Sequence, residues 1–221
     1  MGRWHEAGQP ACAGRRAPLD WTEVDWASVK HRVESFQQQI FREFRAGNYG
    51  GACKLQKLLA RSLAARLWAV KLVTEANSGR NTPGIDGYLC KTGGEKAFLA
   101  ENLRLQGYRP NPVKVAWIPK SDDTKRRLGI PTIRDRAMQA LVLSAMDPEW
   151  EARFEPHSFG FRPGRSAIDA IHHMAVTLMH YKGRKPHPGW VFDADITKCF
   201  DNINHEALLV KLGGSPFRST I

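Results

Sequence analysis

An α+β fold is predicted for this 221-residue chain, and three observations predict it. In the first third, Leu55, Leu59, Leu63, Leu67, Val70 and Val73 recur on one arc at ~100° per residue, the period of an amphipathic helix. Midway, Val113–Pro119 and Lys125–Ile130 are β-favouring runs around the polar turn Ser121–Thr124, which reads as a hairpin. Later, Trp190–Ile196 is a short apolar strand carrying Asp193 and Asp195. Helices, a hairpin, more helices and one strand follow each other in that order, which is an α+β arrangement.

The elements are justified in turn. Residues 1–20 are rich in Gly, Ala, Pro and Arg without periodicity and read as a mobile leader. Trp21 and Trp26 anchor the start of a first helix over 29–46, which ends at Gly47-Asn48. A second helix spans 51–76. Lys54, Lys57, Arg61 and Lys71 lie roughly opposite its apolar arc, and Arg66 breaks the pattern by falling within that arc. Gly79–Gly87 is a turn-rich connector, and a short helix covers 95–105. The hairpin gathers Lys120, Lys125, Arg126 and Arg127 at its tip. Thr132 with Asp135 starts a helix over 133–146. Another helix begins at Ser166 and runs through Ile168, Ile171, Met174 and Leu178, before a basic loop at 183–189. Asn204 caps a last helix that ends at Gly213. Residues 215–221 read as a polar turn with nothing to bury.

The chain carries 33 Lys and Arg against 22 Asp and Glu, a net charge of +11. The excess is localised: Lys30–Arg80 contributes +7 and Arg109–Arg136 contributes +5. Two concentrated basic regions point to a polyanion, nucleic acid being the commonest. A basic helical stripe is by itself more often a solvated face. The second basic segment, and Trp68 read as an aromatic on the basic face, make nucleic-acid contact as good a reading as a solvated face. Cys12, Cys53, Cys90 and Cys199 have neither CxxC spacing nor close neighbours, so they indicate no zinc site or disulfide framework and fit a reducing cytosol. No apolar run is long enough to span a membrane. His172, His173 and His180 read as surface histidines, because no metal-binding pattern accompanies them.

Several ordered stretches together resemble the reverse transcriptase (maturase) of bacterial group II introns. They are Leu55-Gln-Lys-Leu-Leu, Ala69-Val-Lys-Leu-Val-Thr, Thr82-Pro-Gly-Ile-Asp-Gly, Ile118-Pro-Lys and Arg127-Leu-Gly-Ile-Pro-Thr-Ile-Arg-Asp-Arg-Ala-Met-Gln-Ala-Leu. Pro148-Glu-Trp-Glu-Ala-Arg-Phe, Ser158-Phe-Gly-Phe-Arg-Pro-Gly-Arg-Ser and Asp195-Ile-Thr-Lys-Cys-Phe-Asp-Asn-Ile complete the set. The resemblance covers Trp21 to Leu212. It implies a helical N-terminal extension over 21–80, fingers over 81–189, and the incomplete start of a palm over 190–221.

The resemblance also implies roles. Asp195 matches the first metal-binding aspartate, with the backbone of Ile196 beside the metal and the incoming triphosphate; the implied cofactor is Mg²⁺. Phe200 matches the residue beneath the incoming sugar. Lys120 and Arg126 match residues that grip the triphosphate, where cations offset developing charge. Arg162 and Arg165 fall in a segment that lines the template path. Lys54, Lys57 and Arg61, together with Arg127, fall in regions implied to bind RNA. Members of the family carry a further Tyr-x-Asp-Asp hairpin for the second carboxylate site that two-metal phosphoryl transfer needs; these 221 residues contain no such sequence.

Three functions remain open on the sequence. The chain is part of an RNA-directed DNA polymerase that acts when a second chain supplies the rest of the palm, or a non-catalytic RNA-binding module that assists splicing, or an inert remnant of a degenerated intron frame. The partner implied by the first two is group II intron RNA or template RNA.

Overall fold

The computed structural model describes residues 19–119, 125–179, 192–197, 199–213 and 215–217. Lys120, the turn at 121–124, the loop at 183–189, Trp190 and most of the leader lie outside the described residues.

Helix α1 spans Trp26–Arg45, three residues earlier at its start than the periodicity indicates. The reason is Asp25, whose carboxylate accepts from the backbone N–H of Ala27 and Ser28 and caps the first turn. The second predicted helix is not one helix. It divides into α2 (Tyr49–Arg61) and α3 (Leu63–Lys71), and a single π-helical turn follows over Leu72–Ala76. Ser62 makes the break: its backbone is extended, and its Oγ accepts from Ala65 N at 3.1 Å as the N-cap of α3. The break re-phases the second half, so Leu63 is exposed while Leu59, Leu67, Val70 and Val73 are buried. Trp68, expected among the basic side chains, is partly buried and packs on the core instead.

Helix α4 (Gly93–Asn102) begins two residues before the expected start, at a full capping box. Thr92 Oγ1 accepts from Glu95 N, and Glu95 Oε2 accepts from Thr92 N at 2.8 Å. Strands β1 (Lys114–Pro119) and β2 (Lys125–Ile130) pair antiparallel, as the hairpin reading requires.

Helix α5 (Ile133–Arg153) continues seven residues past its expected end, through Pro148. A proline there leaves the Ser144 carbonyl without its helical donor. Gln37 of α1 supplies the missing donor, its Nε2 lying 2.9 Å from Ser144 O. The sequence-based reading ended the helix at Met146 because this donor is 107 positions away.

One core gathers these helices. Val33, Ile40 and Phe44 of α1 meet Leu59 of α2, Leu67 and Val70 of α3, Ala100 of α4, and Met138, Leu141 and Ala145 of α5. Helix α6 (Ala167–Met179) stands apart, with Ile168, Ile171 and Met174 exposed, and α7 (His205–Leu212) buries no side chain. Asn204 caps α7 as expected, accepting from Ala207 N at 2.9 Å. The polar reading of residues 215–217 is corrected. Phe217 is 1 % exposed and belongs to the helical core, where hydrophobic burial of one large ring outweighs the polarity of its neighbours.

Candidate functional site

The hairpin is positioned by a buried carboxylate. Asp135 was legible as a cap residue, and its N–H does donate to Thr132 Oγ1. Its side chain does more. Oδ1 accepts from Tyr108 Oη at 2.7 Å, and Oδ2 accepts from Asn111 N at 3.1 Å and Thr132 Oγ1 at 2.8 Å. Burial first, and then Asp135, push the Tyr108 hydroxyl pKa up, which keeps it a donor. The segment that enters β1 is thereby tied to the first turn of α5. Behind it, Arg136 donates to the carbonyls of Gly79 and Thr82 and clamps the connector. Gly84 lies so near the backbone of Thr132 that a Cβ would sit 2.6 Å from its Cα. Only glycine fits there.

The register divides the hairpin's cations between two faces. Ile118 pairs with Arg126 and Trp117 with Arg127, while Lys125 pairs with Pro119. Directly opposed residues share a face and neighbours alternate. Arg126 therefore lies with Ile118, and Arg127 and Lys125 lie with Trp117. All three cations are exposed, and Trp117 is 61 % exposed. Sequence reasoning did not single out Trp117; the alternation Val115, Trp117, Pro119 was the signal that could have found it.

On α2, Lys54, Lys57 and Arg61 are all exposed and occupy one face at spacings of three and four. Leu58 lies exposed among them.

The structure places Arg162 differently from the expected template-lining position. It is 6 % exposed and its guanidinium is engaged within the protein. Nε and Nη2 form a fork on Glu151, and Nη1 donates to the carbonyls of Glu155 and Ser158 at 2.7 Å each. The group also stacks over Phe154, its Cζ 5.2 Å from the ring centroid. This clasp folds the loop after α5 back on the helix. Arg165 remains half-exposed, donating to Pro156 O and lying over Phe159.

The Asp195 region departs from expectation. Phe192–Ile196 is coil without a β-ladder, and Phe192 and Ile196 are 91 % and 71 % exposed. A strand is held by pairing, and among the described residues no neighbour strand pairs with it. Asp195 is exposed, and Phe200 opens a short 3₁₀ turn (Phe200–Asn202) with its ring 78 % exposed. The described residues do not fit a two-ion metal site: no group of three His, Cys, Asp or Glu side chains that could hold a metal occurs among them. No helix among the described residues is long and apolar enough to cross a membrane.

Two family matches cover most of the chain. Residues 21–103 match the family described as the N-terminal domain of reverse transcriptase, and residues 118–220 match the family described as reverse transcriptase (RNA-dependent DNA polymerase). Protein YkfC of Escherichia coli (strain K12) is 34 % identical over 166 residues, covering 71 % of this chain and 42 % of that protein. The group II intron-encoded protein LtrA of Lactococcus lactis subsp. cremoris is 33 % identical over 137 residues, covering 61 % of this chain and 22 % of that protein. Maturase-like protein 1 of Euglena gracilis is 29 % identical over 139 residues, covering 62 % and 30 %. The chain thus spans less than half the length of these relatives. With both family matches in chain order and relatives of this kind, the chain belongs to the group II intron reverse transcriptase/maturase family and corresponds to its N-terminal portion.

Proposed function

We propose that this chain binds intron or template RNA through two exposed basic surfaces and does not polymerise DNA by itself. The observation that carries the reading is the hairpin, whose register sets exposed cations on both of its faces. On one face Arg126 serves an incoming triphosphate, the role also proposed for Lys120, which lies outside the described residues. On the other, Arg127 and Lys125 flank Trp117, an exposed ring on which a base can stack. Lys54, Lys57 and Arg61 supply the second surface, and Arg165 adds a cation near the loop that Arg162 holds.

Asp195 and the Ile196 carbonyl are the chain's contribution to a Mg²⁺ site, and Phe200 its contribution beneath the sugar. One exposed carboxylate cannot anchor two ions, so catalysis calls on further palm residues, from a second chain or a longer polypeptide. The exposed coil at Phe192–Ile196 favours, as a second reading, an RNA-binding role without catalysis.

The test is RNA affinity against salt. Contact with about five to eight phosphates gives a slope of log K on log salt of roughly −4 to −7. Replacing Lys54, Lys57 and Arg61 by Ala flattens it by about 2 to 3. A slope near zero, or no change in the triple variant, rejects the reading.

A further inference from the structure

The break at Ser62 builds a feature that a continuous helix would not have. Were α2 and α3 one helix, Arg61 and Arg66 would stand about 140° apart around it. In the structure both line one cavity of about 670 Å³, together with Lys57 of α2 and Arg104 of the segment after α4. Leu103 and Phe217 close its apolar side and are 1 % exposed each. Arg66 is held in place by two carbonyls, Nη1 donating to Glu101 O at 2.7 Å and Nε to Ser62 O at 3.5 Å.

Four cations therefore face one concavity. None of them forms an ion pair among the described residues. Burial and then the neighbouring Arg104 lower the pKa of Arg66, with Glu101 offsetting part of the effect. Like charges gathered in a walled, partly apolar space are unfavourable unless an anion enters between them. Guanidinium groups fork onto phosphate oxygens, and a cavity of this volume has room for more than one phosphate.

We propose that Lys57, Arg61, Arg66 and Arg104 form a phosphate-binding pocket that grips consecutive backbone phosphates of a bound RNA strand. The pocket rests on the RNA-binding reading and deepens it, because it joins part of the α2 stripe to Arg66 and Arg104 in one concavity. Lys54 is not among its lining residues.

Arg104 is the residue to change, since it is exposed and carries no structural hydrogen bond among the described residues, whereas Arg66 also holds the chain. The full chain is titrated with sodium tripolyphosphate by calorimetry and with a single-stranded RNA oligomer by fluorescence anisotropy. Wild type, Arg104→Gln, Lys54→Gln and the distant Lys30→Gln are compared. Arg104→Gln is expected to weaken both ligands about tenfold and to flatten the RNA salt slope by about 1; Lys30→Gln leaves tripolyphosphate binding unchanged. Tripolyphosphate is also expected to displace the RNA in competition.

RNA binding that depends on Lys54 but is indifferent to Arg104 overturns the pocket and leaves the RNA-binding reading standing. Tripolyphosphate binding that depends on Arg104, without any RNA binding, overturns the RNA strand as the source and rejects the broader reading with it. Loss of both ligands with a shifted unfolding midpoint in Arg104→Gln identifies a structural arginine and also overturns the proposal.

Discussion

Trp21 donates its indole N–H to the Glu75 carboxylate at 2.9 Å, across fifty-four positions of sequence. The same carboxylate accepts from Lys71 Nζ at 2.6 Å and Lys96 Nζ at 2.8 Å, and Lys71 Nζ lies 4.2 Å from the centre of the Trp26 ring. One acidic side chain in the π-helical turn thus joins the chain's entry, α1, α3 and α4.

Glu75 makes stability depend on acid. Burial pulls its pKa up, but the hydrogen bonds from Lys71, Lys96 and Trp21 together outweigh burial and hold it at about 2, against 4.5 for a free glutamate. A depressed carboxylate stabilises the fold above the unfolded pKa, and its contribution is lost as pH falls from about 4.5 toward 2. Glu75→Gln is expected to cost about 1–2 kcal/mol at pH 7 and to flatten the stability profile across that acid window. Urea unfolding at pH 7, 5, 4 and 3 reads both effects; parallel profiles for the two proteins would reject the assignment.

Gln37 and Pro148 should be energetically coupled. Gln37→Ala leaves the Ser144 carbonyl without a donor and is expected to cost about 1–3 kcal/mol. In a Pro148→Ala background the restored backbone N–H can reach that carbonyl, and the cost should shrink by about 1 kcal/mol. A double-mutant cycle by urea unfolding measures the coupling. A value near zero would mean that the amide contributes only packing.

Trp117 should matter for RNA and not for folding. Its ring is mostly solvent-exposed, so Trp117→Ala leaves the unfolding midpoint close to wild type. A stacked base contributes about 1–3 kcal/mol, which corresponds to a loss of roughly fivefold to 150-fold in RNA affinity. Trp117→Phe should recover most of it. Equal affinity for wild type and Trp117→Ala would remove the hairpin's second face from the interface.

Primer extension on an RNA template with Mg²⁺ should yield no product from this chain alone. A single carboxylate at Asp195 does not hold two ions in line. Template-dependent product that disappears in Asp195→Ala would overturn this expectation.

Where the fold could be read from sequence, the causes were local. Alternation around a polar turn specified the hairpin, and Thr132 with Asp135 marked the start of α5. Asn204 likewise marked the start of α7. Where reading failed, the cause lay elsewhere in the chain. Ser62 is a competent cap, but the unbroken run of leucines around it hid the break. Pro148 ends most helices, and only a glutamine on α1 makes it tolerable here. Arg162 has the composition of a nucleic-acid contact, and only Glu151, in the last turns of α5, shows that its charge is already matched. The four-cation cavity depends on the changed helical phase after Ser62, so Arg66 looked like an exception to a pattern.

Phe217 has a consequence for how the preceding segment behaves. By seating one ring in the core, it ties the chain just after α7 to the same helices that Arg162 clasps ahead of α6. Burying that ring is worth about 2–3 kcal/mol, so one side chain serves as the anchor for the C-terminal side of α7, which buries no residue of its own.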